Sequence, residues 1–425
     1  MDIRLAYGKE GLNITIPSSI HLDIVEPAFV EGVPDQNLAV DQALEDPVDH
    51  IPLRDTLNPD QKAAIIFSDI TRATPYHILV PALLKSLSHL PDEHITFFCA
   101  TGTHRPAPYE ELCTILGKEI VDRFRIVQND ANERDQYTYV GTTQSGNRIL
   151  LNSEILEYNL RILTGFIEPH FFAGFSGGGK ALMPGMAYVE TIRYNHSLKM
   201  LENETARWGN TYGNPLWEDV MQAAEFAAPL FLLNITLNKN KEITGVFAGD
   251  LRAAHKKGTA FARETAMIEL TEPYDIVITS NSGYPLDLNV YQSVKGMSAA
   301  EQIIKPGGSI IMAAECWDGI PAGSDYETIL KSADNIKKLT QFIKDHEAEL
   351  KDTWQVYFQA MIQSKTEVYF YSSLEKETVE RALLKPISNI DSIITELAEK
   401  YGPDTRICVL PEGPQTIPYI RSRGS

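Results

Sequence analysis

Four loops concentrate the residue types that can do chemistry, and each follows a short apolar run. They are SDITRATP (68–75), ATGTHRP (100–106), GFIEPHFFAGFSGGGK (165–180) and SNSGYPLD (280–287). In the first, Arg72 offers a planar fork suited to a carboxylate or phosphate. Asp69 beside it could instead close the loop as a local ion pair, with Ile70, Thr71 and Thr74 between and around them. In the second, His104 carries the side chain best suited to moving protons near neutral pH, although a lone histidine also serves as a structural residue. In the third, Gly177, Gly178 and Gly179 lack a Cβ, so the backbone can approach a ligand and offer N–H groups to an anion. Lys180 would then stand over that ligand as a charge or a nucleophile. His170 lies ten residues before it.

Several chemistries fit these residues. Gly174–Lys180 matches the start of a phosphate loop, GxxxxGK, but Ala181 stands where a Ser or Thr should reach Mg²⁺. A nucleotide-binding protein is therefore one reading. His196 falls on an expected helix, sixteen residues past Lys180, with no HxxxH or HExxH partner. Convergence of His104, His170 and His196 in space would make a zinc hydrolase. Gln292 and Lys295, three apart, share one face of an expected helix. Trp354 reads from its surroundings as a core aromatic.

These residues need a scaffold, and the chain supplies one. Apolar runs alternate with amphipathic stretches from about residue 60, the pattern of βα units. AAIIFS, ITFFCA, LRILTGF and DIVITS read as buried strands, YEELCTILGKEIVDRF and Val189–Leu201 as single helices, and FLLNITL with KEITGVFAG as a hairpin. The expected fold is α/β, two domains with mostly parallel sheets and an active site in the cleft between them. Ligands of such sheets bind beyond the carboxyl ends of strands. The polar stretch Glu269–Pro273 sets the expected boundary, giving an N-terminal cofactor-binding and catalytic domain at 1–270 and a C-terminal domain at 271–420. The closing RSRGS (421–425) reads as a cloning remnant.

Composition narrows the partners. A length of 425 residues exceeds what one core usually organises. A net charge of −19 repels nucleic acid, and no dense basic run offsets it. The chain lacks a basic segment leading into an apolar one at its start, and no run approaches the roughly 18 apolar residues of a membrane span. Four scattered cysteines suggest free thiols in a reducing compartment, so the expected location is cytoplasmic, with neither membrane nor nucleic acid as partner.

Taken together, the loops resemble the nickel-dependent lactate racemase family. The matching segments are DxTRxxP (69–75), ATGxHRP (100–106), FIExHFFAGFSGGxK (166–180), Pro184-Gly185, Asn195-His196 and GYPLDxNxYQxVKGM (283–297). The resemblance implies a racemase or epimerase of 2-hydroxy acids that uses a nickel-pincer nucleotide. This is a pyridinium bisthiocarboxylate mononucleotide supplied by separate cofactor-biosynthesis proteins. On the matching positions, Lys180 would carry it covalently and His196 would ligate nickel. Asp69, Ile70, Thr71, Arg72, Gly177 and Gly178 would line it. His104 and His170 would be the acid/base pair, and Arg72, Gln292, Lys295 and Trp354 would hold a small 2-hydroxy acid. The resemblance further implies hydride transfer to the cofactor and a flat 2-keto intermediate. Ile70, Ala73-Thr74, Thr103 and Gly179 depart from the family pattern, as does Glu315–Tyr326. Thr in place of Phe at 103 would widen and polarise the pocket, pointing to a substrate other than lactate, such as a larger 2-hydroxy acid or a sugar acid.

Overall fold

Strands apolar on both faces form only where helices cover both sides of a parallel sheet, and AAIIFS, ITFFCA and LRILTGF do so here. The computed structural model describes residues 1–347 and 349–421; of the expected remnant at 421–425, residues 422–425 lie outside the described residues. Three short strands come first, β1 (Asp2–Leu5), β2 (Leu12–Thr15) and β3 (His21–Ile24). Next come α1 (Gln36–Glu45), β4 (Ala63–Ser68), α2 (Tyr76–Ser86), β5 (Ile95–Ala100), α3 (Tyr109–Leu116), α4 (Lys118–Arg123) and β6 (Arg125–Gln128). A hairpin of β7 (Tyr137–Thr142) and β8 (Arg148–Asn152) leads to β9 (Leu160–Phe166), β10 (Pro169–His170) and β11 (Gly174–Phe175). Then follow α5 (Val189–Asn195), α6 (Leu198–Leu201), α7 (Pro215–Glu225), β12 (Leu230–Leu237), β13 (Ile243–Gly249) and α8 (Leu251–Ala266).

The second half holds β14 (Met267–Leu270), β15 (Tyr274–Ser280), α9 (Val290–Glu301), β16 (Ile304–Ala313), α10 (Asp325–Lys331), α11 (Ile336–His346) and α12 (Thr353–Lys365). It closes with β17 (Glu367–Tyr371), α13 (Lys376–Arg381), β18 (Lys385–Pro386), α14 (Ile390–Tyr401), β19 (Arg406–Leu410) and β20 (Ile417–Ile420). The fold is α/β with mostly parallel sheets. Among the described residues no helix is long and apolar enough to cross a membrane. All four cysteines are free thiols.

The chain divides into two units, Phe29–Glu264 and Met1–Ala28 with the residues from Thr265 onward. The division corrects the expected 1–270 and 271–420: the first 28 residues fold with the C-terminal half. The cause is strand pairing. β3 adds to the edge of β19 in parallel register, Cys408 opposite Asp23. Ile3 and Leu5 of β1 and Ile14 of β2 join the core that holds Ile276, Ile278 and Val409. That unit's sheet runs β18-β17-β16-β15-β19-β3.

The Phe29–Glu264 unit positions most of the expected site residues. Its sheet runs β13-β12-β9-β4-β5-β6, parallel except for β13. From β4 the chain moves outward through β5 to β6, then crosses back to place β9 on the other side of β4. Such a reversal opens a crevice beyond the carboxyl ends of the two strands. Phe67, Phe97, Ile162 and Leu233 pack with Leu79, Leu83, Val40 and Leu44 of the helices, each burial contributing about 1.5–3 kcal/mol.

Two expected helices are broken. YEELCTILGKEIVDRF becomes α3 and α4, separated at Gly117 (φ 89°), a left-handed value that ends a helix. Val189–Leu201 becomes α5 and α6, with His196 closing α5 and Ser197 extended (φ −65°, ψ 153°).

Candidate active site

Asp69 is the first residue of the loop beyond β4, and it is 7% exposed. Its Oδ1 accepts from the Thr71 backbone N–H at 3.1 Å and from the Thr71 hydroxyl. Its Oδ2 lies 2.6 Å from His104 Nδ1. Burial alone would push the Asp69 carboxyl up. The His104 charge and hydrogen bond outweigh it, with help from Thr71 and the Arg72 charge, and hold it down at about 2. An ionised acceptor requires the proton on His104 Nδ1, so in the neutral ring Nε2 carries the lone pair. A carboxylate that orients an imidazole in this way is the supporting half of many acid/base dyads. The local Asp69–Arg72 ion pair is not what forms. Arg72 Nη1 reaches Glu168 Oε1 at 3.5 Å instead, bridging the β4 and β9 loops.

Beyond β9 the chain makes a two-residue ladder, with His170 opposite Gly174. Ser176 ties it down, its hydroxyl donating to the Phe166 carbonyl and accepting from the Glu168 N–H, both at 2.9 Å. His170 is buried, stacked on Phe171 (5.1 Å, 17°) and edge-on to Phe172 (4.5 Å, 78°). The Ala173 N–H points at His170 Nδ1 at 3.4 Å. An acceptor Nδ1 places the proton on Nε2, the reverse of His104.

Phe172 is the wall that gathers the rest. Lys180 Nζ sits 5.4 Å over its ring. His196 meets it edge-on at 5.0 Å and 82°. His170, Lys180 and His196 thus surround one aromatic ring. Burial, then the Lys180 charge, pull the His196 imidazole down to about 3 against the opposing carbonyl of Ile192. That carbonyl accepts from His196 Nδ1 at 3.1 Å, so the ring is neutral with its lone pair on Nε2. This is the form in which imidazole ligates a metal.

The glycine loop is a four-residue turn, Gly178–Ala181, and not the start of a long helix. The Gly178 N–H donates to Asn234 Oδ1 at 2.7 Å. A phosphate cradle would need that donor, so the P-loop reading fails here. Gly177 and Gly178 have φ of 81° and 56°, and a Cβ would lie 2.4 Å from Asn234 Oδ1 and 2.8 Å from the His255 ring, respectively. His255 is fully buried, stacked on Trp217 at 4.5 Å, with Nε2 at 3.0 Å from the Ser176 carbonyl. Burial lowers its imidazole to about 4, opposed by that carbonyl. It is a neutral ring packed against Gly178.

The zinc triad also fails: among the described residues no group of three or more His, Cys, Asp or Glu side chains could hold a metal ion. Glu168, Asn234, Trp217 and His255 were missed as site-builders. Glu168 lies inside a segment already singled out, and Asn234 interrupts the apolar strand FLLNITL, which was a usable signal.

In the other unit, Gln292 is buried on α9, whose N-terminus is capped by Asn289 Oδ1 accepting from the Gln292 N–H at 3.0 Å. Lys295 is one turn on and half-buried. Trp354 is 4% exposed and donates from Nε1 to Tyr291 OH at 3.3 Å. α12 thus presses its tryptophan onto the helix that carries both polar residues.

Comparison with known proteins places the chain in a family. Residues 7–209 match the family model "Lactate racemase N-terminal domain" and residues 270–417 match "Lactate racemase C-terminal domain". The chain is 36% identical over 377 residues to the lactate racemase of Lactiplantibacillus plantarum, covering 88% of this chain and 89% of that one. It is 33% identical to that of Thermoanaerobacterium thermosaccharolyticum, covering 98% and 99%. The solved apoprotein of the latter superposes with a TM-score of 0.90, covering 99% of this chain and 100% of that one. A Thermotoga maritima protein of 18% identity, covering 92% of this chain and 100% of that one, shares the fold with a TM-score of 0.72. The chain belongs to the lactate racemase family and is, by class, an isomerase.

Proposed function

We propose that the chain inverts the carbinol carbon of a 2-hydroxy acid, with a nickel-pincer nucleotide joined to Lys180 and nickel ligated by His196. The observation that carries the reading is the shared wall: Phe172 touches His170, Lys180 and His196. The residues fit the group. His196 is neutral, with its metal-ligating nitrogen set by the hydrogen bond to Ile192. One histidine suffices where sulfur and carbon donors come with the cofactor, and such soft donors suit nickel. When bound, the group accepts and returns the carbinol hydrogen with its electron pair, chemistry no side chain supplies.

The chain's own residues manage the hydroxyl proton and the carboxylate. His104, oriented by Asp69, presents a lone pair at Nε2 and serves as base toward the hydroxyl of one enantiomer. His170, once protonated to the imidazolium, serves as acid toward the other and returns to the neutral ring. When the reaction runs backward the roles exchange, as two-base inversion requires. Arg72, held by Glu168, is assigned to the substrate carboxylate, and Asp69, Ile70, Thr71, Gly177 and Gly178 to the cofactor's surroundings. Gln292, Lys295 and Trp354 are assigned to substrate.

Lactate is the substrate named for the relatives. Here Thr103, next to His104, supports a larger or more polar 2-hydroxy acid, including a sugar acid. The cofactor would be supplied by biosynthesis proteins, and the free thiols favour a cytoplasmic setting. Co-expression with those proteins tests the reading. Intact mass should show the nucleotide on Lys180 with one nickel, and a panel of single-enantiomer 2-hydroxy acids should give fastest inversion on a substrate other than lactate. Bare chain, or stoichiometric zinc, would overturn the cofactor assignment, and fastest turnover on lactate the substrate assignment.

A further inference from the structure

Asp219, on α7, is 1% exposed. Its carboxylate accepts from the Thr143 hydroxyl, the Ser145 hydroxyl at 2.6 Å, Asn147 Nδ2 at 2.8 Å and Asn195 Nδ2 at 2.9 Å. All four donors are neutral. A buried charge held this way is compensated only while every donor points inward. Two of the donors grip α5. Asn147 Nδ2 also donates to the Thr191 carbonyl at 3.1 Å. Asn195, which ends that helix, donates from the same amide nitrogen to the Leu216 carbonyl at 3.0 Å. Its own Oδ1 is buried with no hydrogen-bond partner, an uncompensated cost that calls for an explanation. The next residue is His196, whose Nδ1–H donates back to Ile192 of the same helix.

We propose that Asp219 is a positioning residue for His196. By clamping α5 at Thr191 and Asn195, it holds the Ile192 carbonyl where it fixes the imidazole tautomer and aims Nε2. The proposal rests on the reading of His196 as the nickel ligand. An Asn at 219 would keep the shape but could not accept from all four donors, so the clamp would loosen while the fold persisted. Groups that orient a metal-ligating histidine commonly matter 10- to 100-fold in metal retention.

The test uses cofactor-loaded protein, with the mass on Lys180 verified, and follows nickel release into excess chelator. Asp219→Asn should release nickel roughly 10- to 100-fold faster than wild type. The swap of Asp219→Asn with Asn195→Asp, which restores one donor–acceptor pair, should recover part of the loss. Ser145→Ala, which removes a donor on the hairpin side only, should lower Tm without altering release. A second readout needs no nickel. In the apoprotein, imidazole ¹⁵N shifts should report a single Nδ1–H tautomer of His196 in wild type and a mixture in Asp219→Asn. If Asp219→Asn does not fold, Asn195→Ala carries the same two predictions. Wild-type release together with an unchanged tautomer would overturn the proposal, as would equal acceleration by Ser145→Ala. Failure of the nickel reading would show separately, as wild-type protein that never holds nickel, and the tautomer measurement would still decide what Asp219 does.

Discussion

Exchanging Asp69 for Asn removes one charge from the crevice and leaves its shape nearly intact. The Oδ2 atom lies 2.6 Å from His104 Nδ1, and at 7% exposure little water can take its place. A hydrogen bond to a charged group contributes about 1.5–3 kcal/mol, and about 1.4 kcal/mol is tenfold in rate. Turnover should therefore fall by at least roughly 10- to 150-fold. If the new amide turns its nitrogen toward His104, donor meets donor and the ring adopts the other tautomer. The same change in a Ser-His-Asp triad costs about 10⁴-fold, which bounds the effect from above. The assay is loss of optical activity from a single-enantiomer 2-hydroxy acid, with cofactor loading matched by mass. The equilibrium constant of a racemisation is one, so kcat/KM must fall equally from either enantiomer. A folded, fully loaded Asp69→Asn with unchanged turnover would refute the dyad.

Acid stability checks the same carboxylate. Its value is about 2 in the folded chain against an ordinary 3.8, so its stabilisation is fully present above pH ~4 and lost as pH falls through about 2. The gap corresponds to about 2 kcal/mol; wild type and Asp69→Asn, compared by denaturant titration, should converge at the acid end, and a constant difference would contradict the assignment. Gly178→Ala combines a left-handed φ with a Cβ 2.8 Å from the His255 ring, and should cost about 1–3 kcal/mol. Calorimetry should record a Tm drop of several degrees, at roughly 2–4 °C per kcal/mol. Lys180→Ala, produced alongside the cofactor-making proteins, should fold and retain the bare-chain mass.

Much of this arrangement could be read along the chain, and what escaped has physical reasons. Strands such as AAIIFS and ITFFCA are apolar but for one residue each, and the reactive loops directly follow them. The candidate loops therefore lie at strand ends, two of them at the β4/β9 reversal. Partnerships were less legible. Asp69 sits three residues from Arg72 yet pairs with His104, because loops from neighbouring parallel strands meet side by side. Only the strand order reveals that. The break after His196 also escaped, since Leu198, Met200 and Leu201 sustain the helical pattern across it. His255 and Asp219 act from helices that carry no motif, and their importance comes from what lies above them. Residues 1–28 were misplaced because four-residue strands have too little periodicity to show which sheet they will join.

Racemisation of a 2-hydroxy acid deuterated at C2, run in ordinary water, tests the central claim most directly. Inversion should leave the deuterium on C2 of the product, because the hydrogen departs and comes back with its electron pair and never meets an exchanging group. Protium from solvent arriving at C2 in step with inversion would mean that His104 or His170 carries that hydrogen as a proton, and the account would be wrong.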